Sequence, residues 1–144
     1  MNKNELQDIL DAHTLWLDSS GQEGLKADLS YANLMNFDLS DISLRFARLK
    51  GVDLRDADLR NTDLRDTDLS SANLTGANLS EANLEKADLK YADLSHADLS
   101  FTDLSKADLR HADLSKADFR YTILNGTNLL GTYYYEQTIL ANKR

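Results

Sequence analysis

The residues able to do chemistry in this 144-residue chain are nearly all carboxylates: 19 Asp and 5 Glu, beside 3 His and no Cys. Carboxylates serve as general acids or bases, as metal ligands, or as an acidic surface for a basic partner. Acid–base work needs a concave, partly dry pocket that perturbs the acid. A metal needs His, Asp or Glu brought together at ligand spacing. His13, His96 and His111 show no such spacing, and no thiolate site or disulfide framework can form without Cys. There is no Gly-rich phosphate loop and no G-x-S-x-G elbow. We therefore expect no catalytic residues, no metal, no cofactor and no enzyme activity. The net charge is -8, and phosphate backbones are bound by Lys and Arg, so direct nucleic-acid binding is not expected. No apolar run approaches the ~18 residues of a membrane span, and the start lacks the basic-then-apolar layout of a signal peptide. A cytoplasmic protein is the expectation.

The elements that carry these carboxylates follow from a repeat. From Ala27-Asp28-Leu29 to Thr127-Asn128-Leu129, a Leu recurs every fifth residue, giving 21 consecutive centres of which 20 are Leu and one is Phe119. Two residues before each centre stands Ala (13 times), Thr (5 times), or Phe37, Ile42 and Val52. The residue between is mostly Asp (13) or Asn (5), and the register never slips. A period of five suits neither a helix, where it advances about 500°, nor one strand, where successive Leu would alternate faces. It does suit a short extended piece followed by a corner. Residues two apart share a face, so the Ala and the Leu point inward, and coils stack at about 4.8 Å. The result is a solenoid in which each coil touches only its neighbours.

The motif A(D/N)LXX, seen unbroken in Ala72-Asn73-Leu74-Thr75-Gly76 and Ala77-Asn78-Leu79-Ser80-Glu81, resembles that of the pentapeptide-repeat family. The resemblance implies an all-β solenoid: a right-handed quadrilateral β-helix of about five coils. It implies about 20 residues per coil, so positions 42, 62, 82, 102 and 122 would form one column of Ile, Thr, Ala, Thr and Thr. The rod would be about 25 Å long.

Open solenoid ends need caps. Residues 5–18 have a helical period through Leu6, Ile9, Leu10, His13, Trp16 and Leu17. Asn4 with Gln7 suits a capping box, and Gly21 sits near the expected C′ position. His13 reads as a packed core histidine. A leader of this kind is similar to that of bacterial family members with an N-terminal capping helix. The expected organisation is therefore 1–25 as capping helix and turn, 26–130 as repeat solenoid, and 131–144 as C-terminal cap or dimerisation segment. Leu130, Tyr133, Tyr134, Tyr135, Ile139 and Leu140 make the last segment apolar and aromatic. They are the expected cap or self-association surface, as family members dimerise through this end.

Three residues of each unit face out. Asp before the centre can accept backbone hydrogen bonds at the corner, which gives much of the acid an architectural role. Phe46, Tyr91, Phe101, His111 and Tyr121 are the expected interaction surface, with Tyr91 stacked on His111 and Phe101 on Tyr121. Function then reads as a rigid, non-catalytic protein-interaction module for an unidentified protein partner. The alternative is a DNA mimic, because the fold resembles family members that bind DNA gyrase and topoisomerase IV. The charge is divided as -4 on residues 1–25, -5 on 26–130 and +1 on 131–144.

Overall fold

The computed structural model describes residues 1–134. Its first element, α1, spans Lys3–Asp18. The cap is Asn2, two residues earlier than the expected Asn4. The Asn2 Oδ1 accepts the Glu5 N–H, and the Glu5 carboxylate accepts the Asn2 N–H, both at 2.9 Å. Glu5 is an anion at the positive end of the helix, which the neutral Gln7 could not be. At the other end Ser20, not Gly21, takes the left-handed C′ position with φ 55. The Ser20 N–H reaches the Leu17 carbonyl and the Gly21 N–H reaches that of Trp16, which is a Schellman closure.

The chain then turns back through Gly24 (φ +72). A Cβ there would run into the Ala12 carbonyl and the Trp16 amide, so only Gly lets this connector lie flat against α1. Leu25 donates to the Ala12 carbonyl at 3.0 Å.

The rod begins at Ala27. Parallel bridges join residues 20 apart, from Asp28↔Arg48 through to Asp113↔Tyr133, giving about five coils with four corners each. Each corner is a four-residue turn. The N–H of Ala32 returns to the Leu29 carbonyl at 3.1 Å, for example, while Tyr31 at the third position has φ 60. A positive φ at that position alone is the signature of a type II turn. The corners consume so much of the period that, among the described residues, bridges stay isolated and no multi-residue strand forms. The expected solenoid therefore takes the form of single parallel bridges stacked 20 residues apart, and the one continuous element among the described residues is the expected helix, α1.

Inside, Leu34 through Leu114 are fully buried in one column per face, with Ala at the alternate positions. Three threonines enter this core with their hydroxyls satisfied from the coil below. Thr62 and Thr102 donate to the carbonyls of Leu39 and Leu79 at 2.8 Å. Thr122 does the same to Leu99 at 2.7 Å. Over the first coil, α1 buries Leu6 and His13 and packs Ile9 and Leu10.

Candidate functional site

The outer wall is built from three positions per unit, and the first is largely occupied by the turn itself. The Asp28 Oδ1 accepts the Ser30 N–H at 3.1 Å, two residues on, and the contact recurs at Asp38, Asp68, Asp93 and Asp98. Asn73 and Asn78 do the same. An Asx oxygen that closes its own turn is what this position requires, which explains why Asp and Asn alternate there.

Where the residue two positions on is Arg, the carboxylate is also engaged in a two-pronged ion pair. Arg55–Asp53, Arg60–Asp58, Arg65–Asp63, Arg110–Asp108 and Arg120–Asp118 all lie at 2.6 to 2.7 Å. The guanidinium hydrogen bonds hold Asp53, Asp58, Asp108 and Asp118 below the usual carboxylate range. At Asp63 burial pulls upward most strongly, yet Arg65 and its backbone N–H together keep it low. These are stable carboxylates, not poised acids. Among the described residues no group of three His, Asp or Glu could hold a metal ion.

The corner position carries the exposed aromatics. Tyr91 stacks on His111 with ring centres 5.1 Å apart, and Phe101 on Tyr121 at 4.8 Å. Gly131 continues the first column, because His111 lies where its Cβ would be. The two pairs are ten residues out of step, half a coil, and so stand at opposite corners. Phe46 belongs to a third corner. It meets the edge of Trp16 at 6.2 Å and lies under the Arg45 guanidinium at 4.7 Å. The five expected surface residues are therefore not one strip: the structure brings together two pairs and leaves Phe46 with the capping helix.

An open groove of about 750 Å³ runs beside α1, with Trp16, Ile42, Arg45 and Phe46 among its walls. Sequence reading missed it, because it depends on how the helix lies across the first coil. Near the far end, Ile123 and Tyr133 occupy the outward position that Asp holds elsewhere, and both are exposed. Leu130 and Tyr134 are exposed as well. Tyr135, Ile139 and Leu140 lie outside the described residues.

A filled solenoid that displays side chains at its corners is a repeat scaffold. Pentapeptide repeats match the chain in eight copies over residues 26–61, 53–90, 67–100 and 92–131. The chain belongs to the pentapeptide repeat family.

Among solved structures, the chain is similar to a pentapeptide repeat protein from the Arabidopsis thaliana thylakoid lumen, with 34% identity and a TM-score of 0.63. That match covers 65% of this chain and just under two thirds, 66%, of the other. It is also similar to Rfr23 of the cyanobacterium Cyanothece 51142, at 25% identity and a TM-score of 0.50, over 76% of this chain and 88% of that one. QnrB1, a plasmid-mediated fluoroquinolone resistance protein, matches at 26% identity and a TM-score of 0.45, over 81% of this chain and 62% of its own. No curated protein matches the sequence.

Proposed function

We propose that the chain is a non-catalytic, rigid protein-interaction module, built as a right-handed four-sided β-helix. The observation that carries this reading is the pair of exposed, stacked ladders, Tyr91–His111 and Phe101–Tyr121, on a rod whose interior is filled. Stacked rings held by a fixed backbone offer a partner a preorganised apolar contact, which is the kind of surface that becomes a binding hot spot. The partner is a protein. The apolar C-terminal side, with Leu130, Tyr133 and Tyr134 exposed, is the surface through which two copies would associate, and the solution mass tests that. Quantitative affinity capture from the native host tests the module itself, with Phe101→Ala/Tyr121→Ala as the comparison. We expect a protein captured by the parent and lost from the variant. Equal capture by both overturns the role of that ladder.

A DNA-mimic reading rests on the rod's net charge of -5. It is supported less well, because only -5 of the chain's -8 lies on the rod. One rod of about 25 Å also spans only about seven base pairs at ~3.4 Å each. A gyrase supercoiling assay decides it: inhibition or protection at micromolar protein favours mimicry, and none removes it.

A further inference from the structure

We infer that α1 is a proton-gated cap: uptake of a proton by His13 releases the helix from the first coil and uncovers that end of the rod. His13 is completely buried. Its Nδ1 accepts the N–H of Ala27, the residue that opens the rod, at 3.1 Å. This contact assigns the single proton of the neutral ring to Nε2. Nε2 is buried without a hydrogen-bond partner, and the Arg45 backbone beside the ring favours its charged form only in part. Trp16 lies nearly parallel to the ring at 5.9 Å.

The charges around the ring give a proton no welcome. Lys26, on the connector, repels it. Arg45, on the first coil, turns its guanidinium over the Phe46 ring. Asp11, two residues along the helix, is bonded to Gln7 at 2.8 Å. Asp63, on the coil above, is held by Arg65. A protonated His13 would therefore be a buried cation without a counter-charge, and its new Nδ1–H would point at the Ala27 N–H. Two donors cannot share that bond. The ring escapes only by leaving its seat, and the helix must leave with it.

Burial holds the His13 pKa below its ordinary 6.5, with Lys26 adding to the effect and the Arg45 backbone opposing it. The released state takes up the proton more readily, so docking is favoured above pH 6.5 and weakens as pH falls below it. The rod's own carboxylates are shifted down from 3.8. A window therefore exists in which the cap opens while the rod stands. Opening exposes Leu6, Ile9 and Leu10 together with the end of the first coil.

The test is hydrogen exchange on the full chain at about pH 7.5 and about pH 5, corrected for intrinsic rates. We expect protection across residues 3–18 to fall by up to about tenfold per pH unit as pH drops below 6.5 toward the docked pKa, and to level off beneath it, with the amides of residues 54–114 unchanged. His13→Asn keeps an acceptor for the Ala27 N–H but does not titrate, and should stay protected at both values. If His13→Asn is unprotected already at pH 7.5, His13→Leu replaces it under the same expectation. Gly24→Ala, which drives a methyl into α1, supplies the released reference. Equal protection of the parent α1 at both pH values, or an equal loss in the non-titrating variant, overturns the proposal.

Discussion

Leu74→Ala should be far more damaging than Leu129→Ala, although the two residues hold the same place in the repeat. Leu74 is fully buried, with Leu54 one coil below and Leu94 one coil above. Its surroundings cannot collapse around a missing side chain. The coils are pinned by the Leu54 N–H to the Asn73 carbonyl at 2.8 Å and the Leu74 N–H to the Asp93 carbonyl at 2.7 Å. Buried Leu→Ala changes cost about 2.7 to 5 kcal/mol, and the upper part of that range belongs to sites that keep their cavity. We expect about 4 kcal/mol at Leu74. Leu129 is only partly buried, packed from Leu109's side, so about half of that should be lost there. Urea unfolding followed by far-UV circular dichroism measures both. Equal losses would refute the reasoning, because they would mean that coils do not act through nearest neighbours.

Gly24→Ala should detach α1 without unfolding the rod, since its Cβ meets backbone atoms of Ala12 and Trp16; Trp16 fluorescence should shift toward that of an exposed indole while the rod's dichroism is kept. Thr102→Val removes a buried hydroxyl that donates to the Leu79 carbonyl at 2.8 Å. That carbonyl keeps the Ala82 N–H, so no orphan is left and the cost should be about 1 kcal/mol in urea unfolding. Asp53, Asp58, Asp108 and Asp118 have folded pKa values below the ordinary 3.8, chiefly from their Arg partners. Their contribution is present above that value and is lost as pH falls through and below it. The rod's melting temperature should therefore hold down to about pH 4.5 and drop beneath it, with a smaller drop for Arg110→Gln, whose Asp108 then has no guanidinium.

The fold was legible because the period is unbroken. One inward Leu per five residues leaves the chain only a corner to make between them, and the 20-residue register follows from the family. That register also accounts for the column at 42, 62, 82, 102 and 122: its Thr hydroxyls reach carbonyls one coil down, a contact that Ala could not make. The aromatic pairs were legible for the same reason. What was not legible is what α1 touches. Phe46 looks equivalent to Phe101 in the sequence, yet it lies in the first coil, where Trp16 and Arg45 pack against it. The helix start was misplaced because Asn4 with Gln7 has the same spacing as Asn2 with Glu5, which form the capping box.

The corners of the rod impose a backbone cost. Each needs φ near +60°, which Asn, Asp and Gly meet at low cost and which bulky side chains resist. Tyr91, Phe101, His111 and Tyr121 all sit there, at φ 59 to 61. A left-handed residue other than these small ones costs roughly 1 to 2 kcal/mol, so a ladder of two costs about twice that. Stacking returns about 0.5 to 1.5 kcal/mol once per pair. The stacking geometry alone therefore does not offset the backbone cost of these corners, and side chains held exposed at such a cost point to work outside the fold. Phe101→Asn/Tyr121→Asn puts this to the test. Both corners would then hold the residue already found at Asn36 and Asn61. Thermal stability should be kept or raised, while capture of the partner is lost. A clear fall in melting temperature would show that the rings serve the corner, and the interaction reading would lose its main support.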